Sequence, residues 1–270
     1  MSGTWTDPGA PAKVEREGIP EWLVPVRDVA ERIEPTQLSR FLPPEQGGRR
    51  SAVLVLFGEQ PGSGPSAGPD AGPEARVDAG PDLLLIERAR RLRSHAGQPS
   101  FPGGALDPED GDPSGDGRIR AALREAWEET GLDPSGVQVF GVLPDLYIPV
   151  SDFVVTPVLG WWHTPVPVAP VDEGEVAEVF RVPIARLVDP ANRARLRHPS
   201  GFRGPAFRID GHVIWGFTAG VIDRLLHHAG WERPWDNGQE VELGDASIFA
   251  SPEEQARARA LEQGTSPGGH

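Results

Sequence analysis

The 270-residue chain contains no cysteine, which excludes disulfides and any metal site built on thiolates. It is also short of positive charge: 26 Lys and Arg against 40 Asp and Glu leave a formal net charge of -14. That balance argues against a broad basic surface for nucleic acid. It leaves room for a small phosphorylated ligand, where local charge decides. Long apolar runs are missing too. No stretch approaches the ~20 residues needed to cross a bilayer, and residues 1–10 lack the basic start and apolar run of a signal peptide. The expectation is a soluble cytoplasmic protein with neither nucleic-acid nor membrane partners.

Hydrophobic content of 38% and charged content of 24% are ordinary for a folded soluble protein. The 33 Gly and 30 Pro cluster in particular stretches, which predicts a folded body with ragged attachments. Residues 1–19 read as a poorly ordered start, 20–235 as one domain, and 236–270 as a mobile acidic tail. Within the domain, residues 60–80 are dominated by Gly, Pro, Ala and Ser and loop out between two strands.

Trp22, Leu23, Val26, Val29, Ile33 and Leu38 predict one or two short amphipathic helices. Strands are expected over 51–57, 83–86, 137–143, 153–161 and 176–182, with a short helix near 184–187. Residues 212–228 begin as strand and become helix. A helix over 118–130 is capped by Ser114 or Asp116 and ended by Gly131 in the left-handed conformation. Alternating strands and helices of this spacing give an α/β fold.

The helix over 118–130 carries the chemistry. At 100° per residue, Ala122, Leu123, Ala126, Trp127 and Thr130 share one side, and Glu125, Glu128 and Glu129 share an adjacent arc of about 100°. Like charges three and four residues apart destabilise a helix by a few tenths of a kcal/mol per pair. A divalent cation with hard oxygen ligands offsets that. Mg²⁺ in particular accepts one or two carboxylates together with substrate phosphates, draws charge from a leaving group and acidifies a nucleophilic water. On acidity alone a solvated helix face is the commoner explanation, but Arg124-Glu125-x-x-Glu128-Glu129-x-Gly131 below a glycine-rich turn is far more selective.

Gly104 followed by Arg124-Glu125-Ala126-Trp127-Glu128-Glu129-Thr130-Gly131-Leu132 resembles the Nudix box. The resemblance implies an α/β/α sandwich around a mixed β-sheet and a pyrophosphohydrolase using Mg²⁺ or Mn²⁺. It makes Glu125, Glu128 and Glu129 metal ligands, one of them in part a base, and has Arg124 hold this catalytic set together through an ion pair. Two positions depart from the pattern. Asp110 stands where the family has Glu, and thirteen residues separate it from Arg124 where the family has seven. The surplus, within 111–117, is Gly/Asp/Pro/Ser-rich, as a loop insertion would be.

A second stretch bears on the substrate. Leu92, Arg93, His95, Gly97, Gln98, Phe101, Pro102, Gly103 and Gly104 are similar to the segment before the box in coenzyme A pyrophosphatases of that family, where Asp at the Asp110 position is usual. Residues 175–183 and 214–218 extend the likeness. It implies cleavage of the diphosphate of coenzyme A or acyl-CoA to 3′,5′-ADP and a 4′-phosphopantetheine compound, with a homodimer as one family assembly. The substrate-binding candidates are Arg88, Arg93, His95, Gln98, Gly103 and Gly104. Arg88, Arg90, Arg91 and Arg93 form a basic cluster suited to bidentate phosphate contacts, or they solvate a loop. His95 and Gln98 bond phosphate or brace the turn. Phe101, Trp161 and Trp162 stack on adenine or fill the core, and Glu175 and Glu178 add a ligand or base or are surface charge. The alternatives in function are another nucleoside diphosphate derivative, such as ADP-ribose, a dinucleotide or a modified nucleoside triphosphate, and a silent nucleotide-binding regulator.

Overall fold

The computed structural model describes residues 13–59, 80–89, 97–197 and 203–242. The apolar run in the fifties forms β1 (Arg49–Glu59), and the next becomes β2 (Pro81–Arg88). The glycine turn contributes β3 (Pro99–Ser100) and β4 (Gly103–Ala105). After the box come β5 (Val137–Val142), β6 (Leu146–Ile148), β7 (Phe153–Trp162) and β8 (Val176–Pro183). β1 runs parallel to β7 over nine residue pairs, and the other pairings in this sheet are antiparallel. The principal order is β8–β2–β1–β7–β5, so the sheet is mixed.

Side chains alternate across each strand, and this alternation builds two cores. Val55 and Phe57 of β1, Leu83 and Leu85 of β2, and Leu159 of β7 face one side. There they meet Val26 and Val29 of α1 (Val24–Arg32) and Val221, Ile222, Leu225 and Leu226 of α5 (Gly216–His228). Ala52, Leu54, Leu56, Leu84 and Val158 face the other side and pack on Ile119, Ala122, Leu123 and Ala126 of α3 (Gly117–Thr130). Helices therefore cover both faces, giving the expected α/β/α sandwich around a mixed sheet.

The helical prediction near the N-terminus resolves into α1 and a one-turn α2 (Pro35–Leu38). They separate because Pro35 disfavours helical backbone at the preceding Glu34, which is extended and forms a capping box with Gln37. The short helix after β8 is α4 (Ile184–Leu187). α3 ends as expected, with Gly131 at φ 71° donating its N–H to the Trp127 carbonyl at 2.8 Å. Its start differs from expectation. Asp116 occupies the cap position without a side-chain capping bond, and its carboxylate meets Arg120 at 3.2 Å instead.

A second sheet was not foreseen. β9 (Arg193–Arg197), β10 (Arg203–Ile209) and β11 (His212–Ile214) form an antiparallel set on the α5 side. Residues expected in the mobile tail complete it: β12 (Glu240–Glu242) pairs parallel to β9. The edge of β9 offers both unpaired backbone groups and arginines to an acidic segment, as in Arg197–Glu240 at 3.9 Å. From residue 13 onward the N-terminal segment lies against β5. Glu15 donates its N–H to the Val139 carbonyl at 2.7 Å, and Gln138 Nε2 donates to the carbonyls of Glu15 and Glu17. β5 is an edge strand, and this segment bonds its outer edge at the Val139 carbonyl and the Gln138 side chain. Most of the predicted 60–80 loop, residues 60–79, lies outside the described residues, as does 243–270. Among the described residues, no helix is long and apolar enough to cross a membrane.

Candidate active site

The site lies where α3 passes the glycine turn. β4 pairs with the start of β1, aligning Gly103 with Val53 and Gly104 with Ala52. This approach admits no side chains. A Cβ on Gly103 would stand 2.6 Å from Val53 Cα, and one on Gly104 would stand 2.5 Å from both carboxylate oxygens of Glu125. The turn is thus packed against backbone on one side and against an acidic side chain of α3 on the other.

Arg124 organises the acidic groups. Its Nε and Nη2 donate to the two oxygens of Asp110 at 3.0 and 2.9 Å, and Nη2 also donates to the Ala105 carbonyl at 3.1 Å. Nη1 spans Glu125 at 3.0 Å and Glu128 at 2.9 Å. Burial works against this charge, but the Asp110 hydrogen bonds and the charges of Glu125, Asp110 and Glu128 outweigh it and raise the Arg124 pKa. Asp110 is buried and also accepts from the Asp107 N–H at 2.8 Å, closing the short turn Pro108–Asp110. The insertion after it loops out at 111–116 and leaves this bidentate pair intact. Asp110 is accordingly the anchor of the box arginine.

The three glutamates occupy distinct environments. Glu128 is exposed, and Glu125 is half-buried with its pKa raised by burial against the opposing pull of Arg124. Glu129 is only 7% exposed. It accepts the Gly103 N–H at 2.9 Å, with Arg88 Nη1 at 3.8 Å. Burial nevertheless wins over both and pushes its pKa up to about 8. Glu125 and the exposed Glu175 add negative potential at Glu129. Glu175 reaches this neighbourhood because its carbonyl accepts the Ala89 N–H at 2.8 Å, alongside Arg88. On α3 the buried face differs from the sequence expectation: Arg124 and Glu129 are buried, while Trp127 is half-exposed.

This donor set fits a hard divalent cation. All its ligand atoms are carboxylate oxygens, and burial leaves Glu129 short of compensating positive charge. The Gly104 backbone also leaves the space that the Glu125 carboxylate fills. In the structure the three are anchored separately, Glu125 and Glu128 on Arg124 and Glu129 on Gly103. Among the described residues, the one group of three His, Asp or Glu ligand atoms already within 4.8 Å of one another is a different one: Glu87, Glu178 and His212.

The remaining candidates divide. Arg88 joins the site, whereas Arg90, Arg91, Arg93 and His95 lie outside the described residues. Gln98 bonds the Arg88 N–H through its carbonyl at 3.2 Å, and its side-chain amide approaches Gly216 at the start of α5 rather than α3. Phe101 and Trp162 are buried in the two cores, and Trp161 packs edge-on to Trp22 at 5.6 Å, so all three are packing residues. Glu178 meets His212 on the other face of β2. That association was missed because it joins three strands far apart in the chain. Asp107 was missed too, although Asp107-Pro-Glu-Asp110 carries the capping-box spacing that could have revealed it.

Residues 75–201 match the NUDIX domain model. A crystal structure of a Nudix hydrolase from M. smegmatis, RenU, is similar at 18% identity and a TM-score of 0.43, covering 71% of this chain and 92% of that one. A Citrobacter koseri protein described as uncharacterized Nudix hydrolase NudL is 42% identical over 165 residues, covering 56% of this chain and 77% of the relative. The NudL protein of Escherichia coli K12 is 40% identical over 157 residues, covering 56% and 76%. With an intact carboxylate helix, its buried Arg124–Asp110 brace and identity of this extent over three quarters of those relatives, the chain belongs to the Nudix hydrolase family.

Proposed function

We propose that the protein hydrolyses the diphosphate bond of coenzyme A or an acyl-CoA, releasing 3′,5′-ADP and 4′-phosphopantetheine or its acyl derivative. One observation carries the reading. The Phe101–Gly104 turn, which ends the segment resembling coenzyme A pyrophosphatases, donates the Gly103 N–H directly to Glu129. This bond supports reading the end of the stretch that bears on substrate and the helix that bears on hydrolysis as parts of one site.

Glu125, Glu128 and Glu129 would hold Mg²⁺ or Mn²⁺, which supplies charge neutralisation at the diphosphate and acidifies the attacking water. The chain's own groups do the rest. Arg88 lies beside Glu129 with its Nε lacking a hydrogen-bond partner among the described residues, and its fork suits a phosphate oxygen pair. Arg93 and His95, which lie outside the described residues, are the sequence candidates for contacts to the remaining phosphates of coenzyme A. Gly103 and Gly104 let backbone approach closely where a Cβ would not fit. Glu129, whose pKa burial raises in the metal-free site, is the carboxylate of the three best placed to exchange a proton with the incoming water.

The test is product analysis with purified protein, Mg²⁺ or Mn²⁺, and a panel of coenzyme A, acetyl-CoA, ADP-ribose, a dinucleotide and a modified nucleoside triphosphate. The expected result is 3′,5′-ADP from coenzyme A at the highest kcat/KM, with turnover abolished in Glu129→Gln and the fold retained. Preference for another substrate would overturn the assignment, and an unaffected Glu129→Gln rate would remove the helix from the chemistry.

A further inference from the structure

β2 and β8 pair antiparallel with Glu87 directly opposite Glu178. Like charges facing each other across paired strands are destabilising, so this arrangement calls for a cation. The strand alternation that turns Arg88 toward Glu129 turns Glu87 to the opposite face, toward the small sheet. There the tight turn Asp210–Gly211, with φ values of 51° and 85°, starts β11 at His212. The imidazole stacks on Phe180, with ring centroids 4.2 Å apart and an interplanar angle of 5°. Nδ1 lies 3.0 Å from Glu87 Oε2, and Nε2 lies 3.7 Å from Glu178 Oε2.

An ionised carboxylate can only accept, so Nδ1 carries the proton in the bond to Glu87. In the neutral ring this fixes the tautomer and points the Nε2 lone pair at Glu178. Two acceptors then face each other. A carboxylate holding the far nitrogen of a histidine is how metal-binding imidazoles are oriented. A nitrogen ligand held by ring stacking also distinguishes this group from a patch of surface carboxylates.

We propose that His212 Nε2 and Glu178 hold a second divalent cation, selective for an imidazole-accepting ion such as Zn²⁺ over Mg²⁺, with Glu87 fixing the ring through Nδ1 and water completing the shell, so that the ion ties the small sheet to the main one. Nε2 and Glu178 Oε2 stand 3.7 Å apart, and ligand-type atoms of the three side chains lie within 4.8 Å of one another. Tetrahedral zinc, with bonds of about 2.0–2.2 Å, sets its ligands roughly 3.3–3.6 Å apart. The gap is within reach of Glu178, whose side chain is 54% exposed and free to adjust. Imidazole nitrogen favours Zn²⁺, whereas Mg²⁺ prefers an all-oxygen shell.

The site is tested in full-length Glu125→Gln/Glu128→Gln/Glu129→Gln protein, which removes all three helix carboxylates and makes the result independent of the proposed reaction. Calorimetric titration with ZnCl₂ is expected to show one bound ion, and Zn²⁺ but not Mg²⁺ to raise Tm. Adding His212→Asn or Glu178→Gln should each weaken Zn²⁺ at least tenfold, while His227→Asn, which alters the adjacent His227–His228 pair, leaves it unchanged. Glu178→Gln on the exposed edge serves if His212→Asn does not fold. Histidine ¹⁵N spectra should show the His212 Nε2 resonance moving on Zn²⁺ addition while Nδ1 keeps its proton. Zn²⁺ affinity indifferent to both substitutions would overturn the proposal. So would a His212 ring that stays doubly protonated through neutral pH and does not respond to Zn²⁺, since the triad would then be an ion cluster only.

Discussion

Glu129 combines two demands that conflict in a carboxylate: it is nearly buried, and the proposed chemistry asks it to serve as an anion. The Gly103 N–H and Arg88 are not enough to hold it ionised, so its pKa rests at about 8. An ordinary glutamate in the unfolded chain titrates near ~4.3. Between these values the folded protein binds a proton that the unfolded chain has lost, so this group's contribution to stability falls as pH rises from about 4.3 to about 8. In metal-free protein, stability should decline over that window by an amount on the order of a few kcal/mol attributable to this residue. Glu129→Gln should flatten the decline and leave the variant with the higher Tm at pH 8. Thermal melts of both proteins across pH 5–9 in chelator decide it, and parallel profiles would show that Glu129 is not the group responsible.

At the scale of elements, the glycine turn and α3 interlock through two adjacent glycines with different neighbours. Gly103 abuts the β1 backbone, which cannot yield, whereas Gly104 abuts the end of the Glu125 side chain, which can. Gly103→Ala is therefore expected to destabilise the fold by about 1–3 kcal/mol, as overpacking does. Gly104→Ala should leave the urea midpoint close to that of the parent while displacing Glu125, lowering kcat at least tenfold and weakening Mn²⁺ binding. A Gly104→Ala enzyme with full activity would show that Glu125 is not held in its functional position by this contact. The carboxylate helix was legible in the sequence because amphipathic period, acidic arc and terminal glycine all agreed. β9 and β10 were not, because Arg193-Ala-Arg-Leu-Arg and Arg203-Gly-Pro-Ala-Phe-Arg-Ile lack the apolar runs and β-branched enrichment by which strands are recognised. They pair because buried positions recur along them, and that becomes visible only once α5 is laid beside them.

Across the whole molecule, one arginine links pieces that are remote in sequence. Arg193 is 1% exposed on β9, bonded to Asp223 of α5 and 3.5 Å from Glu232, with its guanidinium 4.9 Å from the Phe207 ring centre and 4.8 Å from that of Trp235. Removing one partner of a buried ion pair costs about 3–5 kcal/mol where the other is left alone, but Asp223 keeps Arg224 at 2.6 Å. Arg193→Ala should therefore lower stability by about 3 kcal/mol or less in denaturant unfolding, and Arg193→Ala/Asp223→Ala should recover part of it. Strict additivity of the two single substitutions would show that the pair does not couple the small sheet to α5.

From sequence alone, residue order and periodicity determined the α/β class, the acidic helix and its family resemblance, since these depend on spacings of a few residues along one element. They also pointed to Arg88, Gly103 and Gly104 beside that helix. The tertiary structure alone decided that Asp110 clamps Arg124, that Glu129 is buried on the Gly103 N–H, and that Glu87, Glu178 and His212 converge. Those contacts join segments from 14 to 125 residues apart, and burial, pairing register and charge compensation at such separations exist only when the chain has closed on itself.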